Sequence, residues 1–133
     1  MSENEKPSTG RGMYWTGVVL SALPSLMLIL ASGMALSHSA DAVKGFVTQY
    51  GYPESAMTPI GLACLVSVIL YIIPRTAVLG AILLTGYLGG AVATHVHANE
   101  GAMFLVPVLF GVLIWGGLFL RDARIRALLP RRK

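Results

Sequence analysis

The sequence predicts an all-α fold, a membrane four-helix bundle with a short interfacial amphipathic helix between helices one and two. The chain of 133 residues is 55% hydrophobic and 12% charged, with a mean hydropathy of +0.70, whereas soluble domains carry about 25% charged residues. Four stretches lack any charged or histidine residue, at 12–37, 55–74, 76–94 and 101–120. Each is close to or longer than the ~20 residues that span a bilayer as a helix. A helix satisfies its own backbone hydrogen bonds, as a single segment in lipid must.

The charges beside these stretches predict the domain boundaries and the orientation. Lysines and arginines number nine in the N-terminal tail, at Arg75 and in the C-terminal tail, against Lys44 alone in the first loop. Positive flanks stay on the cytoplasmic side, so both termini are predicted to be cytoplasmic in a multi-pass protein of the bacterial inner membrane. We predict a disordered tail at 1–11, a transmembrane domain at 12–120 with spans at about 13–36, 56–73, 76–95 and 102–120, and a basic tail at 121–133.

The distribution of the basic residues also indicates the partners. The net charge is +4, and six of the ten lysines and arginines lie in the last thirteen positions. A basic protein can bind nucleic acid, but a basic cluster directly after an apolar span fits anionic lipid headgroups. The predicted partners are therefore the lipid bilayer, with anionic lipid at the basic tail, and not nucleic acid.

Residues 40–50 have the pattern of a short amphipathic helix. Apolar side chains recur there at helical spacing, at Val43, Phe46, Val47 and Tyr50, with polar residues between them. Gly51 and Pro53 are predicted to end this helix. We expect it to lie on the membrane interface or to cover the mouth of the bundle.

The second predicted helix carries a polar face. Five residues follow one another at helical spacing and are expected to line one side: Gly61, Cys64, Ser67, Tyr71 and Arg75. One interpretation is an inward face that closes against helices one and three, and the other is the polar wall of a ligand cavity. Cys64 is the only cysteine of the sequence, so no intramolecular disulfide is possible.

The third predicted helix follows after Pro74 and Arg75 alone, so it must be an antiparallel neighbour of the second. It is rich in small residues, and Gly86 and Gly90 form a GxxxG pair while Gly89 and Ala93 belong to a second row. Small residues at such spacing mark helix contacts in membranes. We predict helix packing at these four positions, either within one bundle or across a homodimer.

Three polar residues of the same helix complete the candidate pocket, Thr85, Tyr87 and His95. Thr85 is expected to donate to its own backbone four residues earlier, and Tyr87 either bonds within the bundle or presents its hydroxyl to a quinone-like headgroup. His95 and His97 point apart by about 200° on a helix, so no metal site is predicted. No catalytic residue is assigned, and the lack of carboxylates within the spans argues against a proton relay.

The run IIPRTAVLGAILLTGYLGGAVATH, residues 72–95, resembles the signature of the DoxX-like family of four-helix membrane proteins. The Gly51-Tyr52-Pro53 turn, Gly61 and the Trp115…Arg121-Asp122 exit agree with it, over roughly residues 13–130. The resemblance implies a compact four-helix bundle and a link to thiosulfate:quinone oxidoreductase, other oxidoreductase complexes, or chaperone and cargo-receptor roles. Members often carry a glutamate three residues after the helix-two glycine, where this chain has Cys64.

These features lead to two functional hypotheses. The first is an accessory or chaperone-like membrane subunit that holds a hydrophobic molecule, a quinone or a lipid, within its bundle or stabilises a partner membrane protein. The second, which rests on the family resemblance alone, is the membrane subunit of a thiosulfate:quinone or related oxidoreductase. Catalysis by the chain on its own is not expected, and quinone is the one candidate cofactor.

Overall fold

A computed structural model of the chain describes residues 10–128. Within these residues the helices are α1 (Arg11–Leu36), α2 (Ala40–Val43), α3 (Met57–Ile72), α4 (Ala77–His97), α5 (Leu105–Arg121) and α6 (Ala123–Leu128), and no strand occurs among them. The predicted all-α bundle is therefore confirmed. Two parts of the sequence-based prediction fall outside the described residues. They are the disorder of residues 1–9 and the end of the basic tail with Arg131, Arg132 and Lys133.

The long helices α1, α3, α4 and α5 form an antiparallel ring. Helix α1 packs against α3 and α5, and α4 packs against the same two helices from the opposite side. The centre of the ring holds large buried side chains, among them Leu28, Val68, Tyr71, Leu84 and Ile114. Each long helix thus contributes one face to a common core.

The outside of the bundle is apolar. Leu23, Leu30, Ile82 and Val112 are each more than half exposed, an arrangement that water does not favour. In the described part of the chain, four helical segments are long and apolar enough to cross a membrane. The surface therefore suits the hydrocarbon interior of a bilayer, as predicted for a multi-pass membrane protein.

Glycines bring helix backbones together at two places in the ring. A Cβ atom added to Gly80 of α4 would lie 2.2 Å from the backbone nitrogen of Tyr71 on α3. A Cβ atom added to Gly17 of α1 would lie 2.7 Å from the carbonyl oxygen of Gly117 on α5. Because any larger residue would collide with backbone, glycine sets the separation of both helix pairs.

The predicted packing of Gly86, Gly89, Gly90 and Ala93 within the bundle is wrong. A Cβ atom on any of the three glycines would meet nothing within 4 Å, and Ala93 is exposed. The reason is that α4 contacts its neighbours through the opposite side, which carries its buried residues. Packing of the exposed side against a second copy stays a prediction.

The predicted helix at 40–50 is present, but only its first turn is α-helical. Residues Ala40–Val43 form α2, and Lys44–Gln49 continue as a π-helix in which the amide of Tyr50 donates to the carbonyl of Gly45 at 3.0 Å. Gly51 then adopts a φ of +75°, a left-handed conformation that ends the helix at little cost for glycine. Short 3₁₀ turns at Glu54–Ala56 and Gly101–Phe104 lead into α3 and α5.

The two ends of the bundle differ in charge among the described residues. One end, which we call the Arg121 end, combines the start of α1, the α3–α4 turn and the end of α5, and carries Arg11, Arg75, Arg121, Arg124 and Arg126 with Asp122 as its carboxylate. The other, the His95 end, carries Asp41, Lys44, Glu54 and Glu100. Asp122 is extended and separates α5 from α6, and the hydrogen bond from Arg124 holds the pKa of its carboxyl below the usual value.

Candidate functional site

A cavity of about 370 Å³ lies at the His95 end, between α4, the start of α3 and the π-helical segment. We call it the His95 cavity. Its volume falls in the range of natural small-molecule pockets, and its walls combine apolar surface with a few polar groups, as such pockets do. It is lined by Phe46, Tyr50, Tyr52, Ile60, Gly86, Tyr87, Gly90, Ala91, Thr94 and His95.

Two of the glycines that were predicted to pack a helix instead shape this cavity. Gly86 and Gly90 both line it, and a Cβ atom added to either would have no neighbour within 4 Å. Both lie on the exposed side of α4, which faces outward from the ring. The cavity is therefore open toward the surroundings of the bundle and not sealed in the core.

The aromatic wall of the cavity comes from the segment around Gly51. The Tyr52 hydroxyl lies 2.6 Å from the Thr94 hydroxyl, which itself donates to the carbonyl of Gly90 at 2.9 Å. Because Thr94 uses its one proton on a carbonyl, Tyr52 must donate to Thr94. This bond fixes the π-helical segment to α4 and holds the Tyr52 ring at the cavity.

His95 belongs to a polar cluster at the mouth of the cavity. Its Nδ1 lies 2.5 Å from Oε2 of Glu100, and Gln49 donates to the other carboxylate oxygen. The Tyr50 hydroxyl donates to Glu100 at 3.3 Å, and its ring meets the His95 ring edge-on with centroids 5.6 Å apart. With Nδ1 committed to the carboxylate, Nε2 is the free nitrogen of His95 within the described part of the chain.

The electrostatics of this cluster favour a charged carboxylate. The hydrogen bond from His95, followed by those from Gln49 and Tyr50, lowers the pKa of Glu100 below its ordinary value. Burial, followed by the hydrogen bond to Glu100, raises the pKa of Tyr50. At neutral pH the cluster therefore contains a carboxylate that accepts from an imidazole, an amide and a phenol, and it fixes the orientation of the imidazole.

The polar face predicted on the second helix is buried in α3, but it does not line the His95 cavity. Cys64 is 1% exposed, and its thiol lies 3.8 Å from the carbonyl oxygen of Leu28. Ser67 donates to the carbonyl of Ala63 at 2.6 Å. Both residues are therefore buried in the bundle, Cys64 against α1, as in the first of the two interpretations. Tyr71 is also fully buried.

Three further predicted residues are placed apart from one another. Arg75 is exposed at the α3–α4 turn, so it does not continue the buried face of α3. Thr85 donates to the carbonyl of Ala81 at 2.7 Å, as predicted, and accepts from the indole of Trp115 at 2.8 Å. The ring of Tyr87 lines the His95 cavity, while its hydroxyl interacts with the Cys64 thiol.

A second cavity, of about 380 Å³, lies between α1 and α3 at the Arg121 end. We call it the Arg121 groove. It is lined by Tyr14, Val18, Ser21, Ala22, Ser25, Leu26, Ile29, Tyr71, Ile72, Pro74 and Arg121. Of the residues predicted for a pocket, Tyr71 is the one that reaches it.

Three helices meet at the closed side of this groove. The Tyr71 hydroxyl lies 2.6 Å from the carbonyl oxygen of Ile114 and 2.8 Å from the Ser21 hydroxyl. A carbonyl only accepts, so Tyr71 donates to Ile114 and Ser21 donates to Tyr71. Arg121 donates from Nε to Ser21 and from Nη2 to the carbonyl of Tyr71, each at 3.1 Å.

Metal binding was not predicted, and both ring nitrogens of His38 lie beside protein side chains. His38 places Nδ1 3.2 Å from Glu54 and Nε2 3.1 Å from Thr58. Among the residues described by the structure, no group of three histidine, cysteine or acidic side chains is arranged to hold a metal ion.

Sequence reasoning missed several residues in or beside the two cavities. Tyr50 was assigned to a surface helix and Glu100 to no site, yet they meet at His95. A signal was present, since Glu100 follows His95 by five residues across a helix end, and Tyr50 and Tyr52 flank the turn glycine. Arg121 was counted with the basic tail, although it donates to Ser21, 100 residues earlier.

Comparison with known proteins gives one match. The family model of the DoxX-like family matches residues 19–117, which includes α3 and α4 and both cavities in large part. No curated protein and no solved structure matches the chain.

Proposed function

This chain is a multi-pass membrane protein of the DoxX-like family, and we propose that it binds a quinone, or a similar hydrophobic molecule with a polar headgroup, in the His95 cavity. In this proposal the protein acts as an accessory subunit that holds the molecule for a partner membrane protein. Both termini and the Arg121 end face the cytoplasm, and the His95 cavity lies at the opposite face of the inner membrane.

The chemistry of the cavity lining carries the proposal. A quinone headgroup is a flat apolar ring with two carbonyl oxygens that accept hydrogen bonds. The His95 cavity offers aromatic surface at Phe46 and Tyr87 and the Nε2 atom of His95, while the hydroxyl protons of Tyr50 and Tyr52 are used on Glu100 and Thr94. Apolar walls with a few convergent polar groups are what such a headgroup requires.

His95 is the residue that distinguishes the two oxidation states of the headgroup. Its Nδ1 is held by Glu100, so in the neutral ring the Nδ1 proton points to the carboxylate and Nε2 accepts. A neutral His95 therefore suits a quinol hydroxyl, and a protonated His95 suits a quinone carbonyl.

The openness of the cavity supplies a route of entry. Gly86 and Gly90 leave the side of α4 without side chains at the cavity. A molecule dissolved in the hydrocarbon could enter between α3 and α4 without crossing water. A large side chain at either glycine would close this route.

A matched pair of variants on α4 tests the proposal. Gly89 and Gly90 are both exposed and both lack neighbours within 4 Å, but only Gly90 lines the cavity. The protein is purified in mild detergent, ubiquinone and menaquinone are extracted and quantified by chromatography, and binding of added quinone is measured by thermal shift. The Gly90→Phe variant should lose quinone, and Gly89→Phe should retain it.

A polar variant then examines the headgroup site. His95→Gln should weaken quinone binding by roughly tenfold, as expected for one lost hydrogen bond, while Arg75→Gln, distant from the cavity, should not. Equal binding in the Gly90→Phe and Gly89→Phe variants would refute the site. Quinone reduction that depends on thiosulfate would instead favour the oxidoreductase hypothesis over an accessory role.

The orientation is tested separately. In spheroplasts, a membrane-impermeant thiol reagent should label Gln49→Cys at the His95 end and leave Arg75→Cys unlabelled. The reverse pattern would place the His95 cavity on the cytoplasmic face and overturn the proposed orientation.

A further inference from the structure

We propose that the Arg121 groove binds one membrane lipid with an anionic headgroup. The headgroup phosphate sits at the Arg121 guanidinium, and one acyl chain lies along the groove between α1 and α3. This site is separate from the His95 cavity and does not depend on quinone binding there.

The guanidinium of Arg121 is held in place before any lipid arrives. Two of its nitrogens donate to Ser21 and to the Tyr71 carbonyl, and its central carbon lies 4.8 Å from the centre of the Tyr71 ring. The Tyr71 carbonyl is available because α3 ends at Ile72, so no later turn of that helix uses it. A fixed arginine loses little conformational entropy when it binds a ligand.

Arg121 forms no salt bridge within residues 10–128, and the charge of Asp122 acts on it only from beyond contact distance. Its bonds to Ser21 and Tyr71 go to neutral groups, and the neighbouring carboxylate of Asp122 pairs with Arg124 at 3.0 Å. A partly buried charge beside an apolar groove attracts a counter-ion. An anionic lipid headgroup is the counter-ion that a membrane interface supplies.

The groove has the dimensions of a single acyl chain in one leaflet. Val18, Ala22, Leu26 and Ile29 lie on successive turns of α1 along it, and Ile72 lies opposite on α3. From Val18 to Ile29 the helix rises about 16 Å, at 1.5 Å per residue, which is roughly half of the ~30 Å hydrocarbon core. A chain that starts at Arg121 would therefore end near the middle of the bilayer.

The headgroup, not the tail, should determine which lipid binds. Acyl chains gain little from the groove because the surrounding lipid is equally apolar. A guanidinium forms paired, charge-assisted hydrogen bonds with phosphate oxygens. An anionic phospholipid adds net charge attraction that a zwitterionic lipid lacks, and it should be preferred.

A competition in mixed micelles tests the proposal. The purified full-length protein is incubated with equimolar phosphatidylglycerol and phosphatidylcholine of identical acyl chains, and retained lipids are counted by native mass spectrometry. Wild-type protein should retain one phosphatidylglycerol in preference to phosphatidylcholine. Arg121→Gln should reduce that retention by roughly tenfold or more, whereas Arg75→Gln, at the same end but in neither cavity, should not.

A second pair of variants keeps the test valid if Arg121→Gln fails to fold. Ala22 and Val19 are both exposed on α1, but only Ala22 lines the groove. Ala22→Phe should abolish the preference for phosphatidylglycerol while Val19→Phe retains it. Equal retention of the two lipids by wild-type protein, equal loss in both members of either pair, or displacement of the lipid by excess inorganic phosphate would overturn the proposal.

Discussion

Substitution of Gly80 by alanine should strongly destabilise the contact between α3 and α4. The added Cβ would lie 2.2 Å from the nitrogen and 2.5 Å from the Cα of Tyr71, and 2.7 Å from the carbonyl carbon of Leu70. Carbon atoms pack at about 3.5–4.0 Å, so α4 must move away from α3 by roughly 1 Å or more. All three neighbours are backbone atoms and none can rotate aside.

The expected cost follows from this geometry. Extra methyl groups in a packed core cost about 1–3 kcal/mol, and Gly80→Ala should reach the upper end because an entire helix must shift. The measurement is the free energy of unfolding in mixed micelles, from the loss of helical circular dichroism as sodium dodecyl sulfate is added to the detergent-solubilised protein.

Gly86→Ala is the matched control, on the same helix. Its Cβ would meet nothing within 4 Å, and alanine favours a helix over glycine by up to about 1 kcal/mol in water. That variant should therefore be as stable as the wild type or slightly more stable. If Gly80→Ala and Gly86→Ala unfolded at the same detergent fraction, the close approach of α3 and α4 would be refuted.

Three further predictions concern other parts of the bundle. Tyr71→Phe removes a hydroxyl that donates to a main-chain carbonyl of α5, and it should lower the free energy of unfolding by about 1 kcal/mol in the same assay; an unchanged value would contradict that bond. The bond from His95 lowers the pKa of Glu100, so this carboxylate contributes stability above its unfolded pKa that is lost as the pH falls through the folded pKa. Glu100→Gln should therefore flatten the dependence of the unfolding free energy on pH below about pH 4.3. An unchanged dependence in that acidic range would contradict the pairing. Cys64 is 1% exposed, so a maleimide should label it only after unfolding, whereas Gln49→Cys in a Cys64→Ser background, exposed outside the membrane spans, should react at once; similar native-state rates would contradict the burial.

The helices could be predicted from sequence because their signal is local. Uncharged stretches long enough to span a bilayer mark α1, α3, α4 and α5 directly. The spacing of Cys64, Ser67 and Tyr71 placed them on one face, since helical geometry alone fixes their relative directions. Thr85 donates within its own helix, so that bond also needed no knowledge of the neighbours.

The helix contacts could not be predicted because they depend on which side of a helix meets its neighbours. Gly80 and Gly86 are equally small and lie on the same helix, yet one touches backbone and the other touches nothing. The candidate site was equally hidden. One wall of the His95 cavity is a π-helical turn that brings Tyr50 to Glu100, and no residue pattern specifies that change of helix type.

The bonds among Ser21, Tyr71 and Arg121 have a consequence for biosynthesis. These residues belong to α1, α3 and α5, and the carbonyl that Tyr71 reaches also lies in α5. Helices enter the membrane in the order in which the ribosome makes them, so Ser21 and Tyr71 can bond to each other early, but their bonds with Arg121 and Ile114 form only when the final segment arrives. A nascent chain interrupted before α5 would expose these groups to lipid, and the quality-control proteases of the membrane could then distinguish an unfinished protein from a complete one.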